Sequence, residues 1–132
     1  GTCATPLNTD IARTDASVVK VARAASGLAL YFSRAPIPYK RDEKPVGEEL
    51  EREPFLRHIG IYSYTRAALH DWVALAPSQL ERLELLEQLR PLEAGLKIGV
   101  AIVGAVDPGV DTPADVIRIE EKLSEQGATT FA

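Results

Sequence analysis

An α/β domain is what the sequence predicts, on three observations. Strand-like and helix-like segments interleave after residue 54, one later segment is apolar throughout, and 132 residues hold a single core and no internal repeat. The elements follow in chain order. Val18 to Ala22 and Leu28 to Ser33 are two β-prone runs separated by Ala25-Ser26-Gly27, the spacing of a hairpin. The period of two puts Leu28, Leu30, Phe32 and Arg34 on one face of the second strand, so Arg34 continues an apolar row. Pro36 and Pro38 then end the strand, since each removes a ladder donor. From Lys40 to Glu53, ten of fourteen residues are charged, which leaves too little apolar surface to order the segment; a mobile surface loop is expected.

Phe55 to Tyr64 predicts a strand with His58, Gly60, Tyr62 and Tyr64 on one face and Ile59 and Ile61 on the other. Thr65 caps a short helix with the stripe Leu69, Trp72 and Val73, closed by Pro77. Ser78 and Glu81 form a capping box, and Leu80, Leu83, Leu86 and Leu89 follow at helical spacing until Pro91 ends or kinks the run. Lys97 to Val106 carries Ile98, Val100, Ala101, Ile102 and Val103, the pattern of a central or nearly central strand covered on both faces. Asp107-Pro108-Gly109 is a turn, and Thr112-Pro113 opens a last amphipathic helix bearing Val116, Ile119 and Leu123. Four strands and three helices before any preceding chain make an uneven inventory for a closed domain.

Composition narrows the function classes. A net charge of −4 argues against nucleic acid or an anionic membrane as the main partner, and no apolar run approaches the ~18 residues of a membrane span. The single Cys3 forms no intrachain disulfide, and the polar first twenty residues show no signal peptide, so a reducing, cytoplasmic setting is expected. Six positions invite a functional reading. Arg34 offers a planar fork that matches a carboxylate, against the plainer role of an arginine reaching for water at a strand end. His58 and Tyr62 share a face and suit sugar hydroxyls, although a histidine bonded to neighbouring backbone is commoner. Glu87 falls on the stripe of the leucine helix that should be buried, so either Arg90 compensates it or it faces a pocket together with the amide of Gln88. Asp111 follows the apolar strand where α/β sheets gather ligands, with turn stabilisation as the alternative. Neither a glycine-rich phosphate cradle, nor a zinc set, nor a nucleophile triad can be assembled.

Four segments in order, Ala29-Leu-Tyr-Phe-Ser-Arg-Ala-Pro-Ile-Pro-Tyr39, His58-Ile-Gly-Ile-Tyr-Ser-Tyr64, Leu86-Glu-Gln-Leu-Arg90 and Gly109-Val-Asp-Thr-Pro-Ala-Asp115, resemble successive signatures of the 3-deoxy-manno-octulosonate (KDO) cytidylyltransferases of Gram-negative bacteria. The likeness runs from about Ala4 to Leu123 and corresponds to the carboxy-terminal half of such an enzyme. It implies a nucleotide-diphospho-sugar transferase-like, Rossmann-related mixed sheet with flanking helices, whose amino-terminal half, with the loop that grips the CTP phosphates, is missing. Residues 1–132 would be half of one domain, with 18–57 as hairpin, loop and dimer contact and 58–126 as the sugar- and metal-binding part. The implied reaction makes CMP-KDO and pyrophosphate from CTP and KDO, for lipopolysaccharide synthesis, with Mg2+ as cofactor. The resemblance carries the sugar-binding roles onto Arg34, His58, Tyr62, Glu87 and Gln88 and the catalytic metal ligand onto Asp111. It further implies a homodimer, and a chain inactive without its other half. Asp15-Ala16-Ser17 departs from the Asn-Pro-Asn usual in the family before the hairpin. Two alternatives remain open: a non-catalytic acid-sugar-binding or dimerisation fragment, and a relative acting on another acid sugar such as sialic acid.

Overall fold

The computed structural model describes residues 1–7, 13–39, 41, 55–104, 106, 116–117, 119–121 and 123–124. Five strands and three helices are complete among them: β1 (Thr2–Pro6), β2 (Lys20–Arg23), β3 (Ala29–Ser33), β4 (Leu56–Tyr62), α1 (Arg66–Ala74), α2 (Gln79–Glu84), α3 (Leu89–Glu93) and β5 (Val100–Ile102). The strands form one mixed sheet in the order β3-β2-β4-β1-β5, antiparallel except where β1 meets β5 in parallel. The core gathers Ala4, Val21, Phe32, Leu56, Leu86, Leu89, Ile98 and Val100 from both ends of the chain. The charged segment of 40–53 lies outside the described residues apart from Arg41. The turn at 107–109 lies outside them too, while those described between 116 and 124 are helical, as expected.

The predicted hairpin forms as β2 and β3, but its facing pattern does not hold along β3. Ala22 pairs with Tyr31 and Arg23 with Ala29, so Leu30 is the extra residue of a bulge and stands 63% exposed while Phe32 is fully buried. A bulge shifts every residue beyond it to the other face, which breaks the apolar row Leu28, Leu30, Phe32. Strand β4 carries a larger irregularity of the same kind: Thr2 pairs with Tyr62 and Cys3 with Ile59, leaving Gly60 and Ile61 without partners on β1.

Strand β1 has no apolar alternation in Thr-Cys-Ala-Thr-Pro and was not expected from the sequence. It is held as the strand between β4 and β5, with Thr2, Ala4 and Thr5 buried. The apolar run at 97–106 was expected to be central or nearly central; among the described residues β5 ends the order and is three residues long. Along the run, Ile98 and Val100 are buried and Ala101 is exposed. A bridge from Leu28 to Gly99, with Ala29 N donating to Ile98 O and Val100 N to Gly27 O, both at 2.8 Å, closes the hairpin turn over the start of this strand. The hairpin therefore covers part of what a central position would have covered.

Helix α1 starts where predicted, with Ala68 N donating to Thr65 Oγ1, but it buries none of its residues: Leu69 and Val73 are exposed and Trp72 alone packs inward. The leucine run was expected as one helix to Pro91. The capping box forms, yet Leu85 turns left-handed (φ 54°, ψ 49°) and splits the run into α2 and α3. Leu83 and Leu85 face solvent, Leu86 and Leu89 reach the core, and Pro91 becomes the third residue of α3, where a missing N–H leaves no helical bond unmade. A left-handed leucine costs roughly 1–2 kcal/mol. Because Leu85 is 71% exposed and packs little, Leu85→Gly should raise stability by up to about 1 kcal/mol, read as a higher urea midpoint.

Candidate functional site

Two cations, Lys20 buried and Arg34 half-buried, fix the frame. The Nζ of Lys20, with no exposed surface, donates to the carbonyls of Asp15 and Val18 at 2.7 Å and of Arg34 at 2.5 Å. Burial pushes this ammonium below its usual range, while Asp15 and Glu84 oppose that push. The same corner holds the Arg34 guanidinium, whose Nε donates to Glu84 O at 2.9 Å, Nη1 to Ala16 O at 3.0 Å and Nη2 to Leu85 O at 3.4 Å. In return the Glu84 carboxylate accepts from Ser33 Oγ at 2.6 Å and from Arg34 N at 2.9 Å. Arg34 thus does not simply reach for water. Three of its five donors hold the C-terminal carbonyls of α2 and the loop before β2, and one N–H on each terminal nitrogen remains for a ligand.

The polar face predicted for β4 is an aromatic row. His58 lies edge-on to Phe32 at 4.9 Å and 5.5 Å from Tyr62, which stacks on Tyr64 at 5.8 Å; Trp72 of α1 meets Tyr62 and Tyr64 edge-on at 5.7 and 5.3 Å. Burial lowers the His58 pKa to about 4, so the imidazole is neutral at pH 7. Burial, with Tyr64 and the carboxylate of Glu87 adding to it, raises the Tyr62 phenol, which stays protonated. A neutral imidazole and a protonated phenol side by side can exchange hydrogen bonds with hydroxyl groups without a proton changing owner. Beneath the row, Thr2 Oγ1 lies 2.9 Å from His58 Nε2, 2.8 Å from Ile61 O and 3.1 Å from Ile59 O.

Of the six residues singled out, the structure brings His58 and Tyr62 into ring contact and Glu87 within electrostatic reach of Tyr62. Glu87 is not on a buried stripe as expected. The break at Leu85 rotates the following turn, leaving Glu87 exposed and Gln88 4% exposed at the start of α3. Arg90 feels the charge of Glu87 through space but forms its ion pair elsewhere. Its Nε donates to Glu81 Oε2 at 2.8 Å and its Nη2 pairs with Glu81 Oε1, holding the Glu81 carboxyl down to about 2. Asp111 lies outside the described residues. Among the described residues no three His, Cys, Asp or Glu side chains gather as a metal cage. Sequence reasoning missed Thr2, Lys20 and Glu84, whose partners lie 56, 14 and 50 residues away.

Residues 1–98 match the model of a family described as cytidylyltransferase. The chain belongs to the cytidylyltransferase family. Among its relatives, the 3-deoxy-manno-octulosonate cytidylyltransferase of Pectobacterium carotovorum is 45% identical over 126 residues, which cover 95% of this chain and 50% of that protein. The protein of the same name from Gemmatimonas aurantiaca is 48% identical over 120 residues, covering 89% and 45%. A solved structure, CMP:2-keto-3-deoxy-manno-octonic acid synthetase complexed with CTP, superposes with a TM-score of 0.82 at 37% identity over 95% of this chain and 48% of that one. The expected mixed sheet with flanking helices is therefore that of the family, and the chain spans about half the length of the curated relatives it matches.

Acid should weaken the fold of this chain in two successive steps. His58 binds a proton in the unfolded state below about 6.5 and in the folded state only near 4, so its contribution is complete above pH 6.5 and is lost as pH falls toward 4. One such proton gives a slope of at most about 1.4 kcal/mol per pH unit. Glu81, lowered from 4.5 to about 2, takes over below pH 4.5. Urea midpoints between pH 7 and 4.5 should fall in the wild type and lose most of that slope in His58→Gln.

Proposed function

We propose that this chain is the acid-sugar-binding part of a KDO cytidylyltransferase, a protein that joins CTP and KDO into CMP-KDO and pyrophosphate. The observation that carries the reading is the row of a neutral His58 and a protonated Tyr62 with the Glu87 carboxylate nearby, in a chain about 45% identical to proteins of that name. In the reaction, the anomeric hydroxyl of the sugar attacks the α-phosphorus of CTP and pyrophosphate leaves. This chain's part is to hold the nucleophile. The two remaining N–H groups of Arg34 bridge the sugar carboxylate, and its other three keep the fork fixed. His58, Tyr62, Glu87 and Gln88 exchange hydrogen bonds with sugar hydroxyls, Gln88 from its place at the start of α3. Since His58 titrates near 4, its role at neutral pH is orientation, and orientation of this kind is worth several kcal/mol of barrier, on the order of the lower end of the intramolecular range.

In this proposal the groups that grip CTP lie in the half of the full-length protein that this chain does not span. Mg2+ enters the proposal through Asp111 only: the described residues offer it no cage, and no step here runs through it. A homodimer and a cytoplasmic location are part of the same proposal.

The test uses the full-length protein that carries this chain. It should release pyrophosphate from CTP with KDO, and sialic acid should neither replace KDO nor compete with it. Arg34→Lys, which keeps the charge but not the fork, should raise the KM for KDO on the order of tenfold and leave that for CTP unchanged. The 132-residue chain alone should release none. Turnover by the isolated chain, or a KM for KDO that ignores Arg34, would overturn the reading.

A further inference from the structure

The hydroxyl of Thr2 has one hydrogen and three neighbours that want it. The irregular pairing of β1 with β4 leaves Gly60 and Ile61 without partners on β1, and Thr2 Oγ1 sits among the carbonyls of this stretch, 2.8 Å from Ile61 O and 3.1 Å from Ile59 O. Thr2 is 5% exposed, so its hydroxyl finds its partners within the protein. A hydroxyl whose hydrogen is committed to a carbonyl can only accept from a third group. The third group is His58 Nε2 at 2.9 Å. We infer that Thr2 is a positioning residue: held by the carbonyls of the bulge, its hydroxyl keeps the proton of His58 on Nε2 and leaves Nδ1 as an acceptor for a hydroxyl of the sugar.

The reverse tautomer would require Thr2 to donate to Nε2 and would take its hydrogen from the carbonyl of Ile61, at 2.8 Å the nearer of the two. Ring packing between Phe32 and Tyr62 keeps the imidazole from turning over to exchange its nitrogens. No group among the described residues bonds Nδ1. A sugar hydroxyl that donates to Nδ1 keeps its lone pairs for the Tyr62 phenol, which explains why an acceptor and a donor are placed side by side. The ligand half of this inference rests on the reading of the chain as a KDO-binding part; the tautomer half does not.

The experiment records ring nitrogen-15 spectra of the full-length protein without substrate, with His58→Gln to assign the signal, and then steady-state kinetics with KDO and CTP. The wild type should show a neutral imidazole protonated at Nε2. Thr2→Val should move proton density to Nδ1 and raise the KM for KDO about tenfold at an unchanged KM for CTP. Thr2→Ser, which restores the hydroxyl, should restore both. A wild-type ring protonated at Nδ1 overturns the inference whether or not Thr2→Val folds, as does a Thr2→Val protein with unaltered tautomer or unaltered KM for KDO. Failure of the parent reading shows separately, as a wild-type protein that releases no pyrophosphate from KDO and CTP, and it removes the ligand half.

Discussion

The ammonium of Lys20 is taken fully out of water and given a main-chain carbonyl for each of its three hydrogens. A buried charge is tolerated only when its donors are met, so the loop at Asp15 to Val18 and the end of β3 must both arrive at that point. Once they do, Arg34 stands beside Glu84, and the two exchange backbone and side-chain bonds that stop α2 at Leu85. Stopping the helix there decides the facing of the next turn: Leu86 and Gln88 go in and Glu87 goes out, where its charge acts on Tyr62. One cation–carbonyl cluster therefore connects the hairpin to the turn that carries the carboxylate of the candidate site.

Desolvation supplies the chemistry of that site. Phe32, Tyr64 and Trp72 exclude water from His58 and Tyr62, and the result is a histidine too weak to hold a proton at pH 7 beside a tyrosine too weak to release one. Such a pair orients hydroxyl groups. In the proposed reaction the leaving group is pyrophosphate and the nucleophile is a sugar hydroxyl, so fixing the direction of that hydroxyl is a larger task for this part of the protein than moving its proton. The two irregularities of the sheet serve the same row. The one in β4 frees carbonyls that orient Thr2 under His58, and the one at Leu30 turns Phe32 inward against the imidazole.

Features written in a few consecutive residues were legible before any coordinates. Ser78 with Glu81, Thr65 before α1, the spacing of β2 and β3, and the side-by-side placement of His58 and Tyr62 all depend on bonds or periodicities within one or two turns of chain, and all are present. The family was legible too, because four short segments in order carry it. What failed was every inference that needed a partner far along the chain. Thr2–Pro6 has no pattern of its own and becomes a strand because β4 and β5 flank it. Glu87 looked buried because the leucine period continues through Leu85, which a helix in isolation would follow and which Arg34, fifty residues earlier, interrupts.

By itself, then, the order of residues determined the caps, the hairpin, the polar face of β4 and the family. Tertiary structure alone decided that Arg90 belongs to Glu81, that Arg34 holds helix-end carbonyls as well as a free pair of donors, and that Thr2 lies under His58. The reason is physical: a hydrogen bond or charge pair is set by distance in space, and a one-residue bulge or a single left-handed leucine changes which side chains meet without leaving a mark in the local pattern.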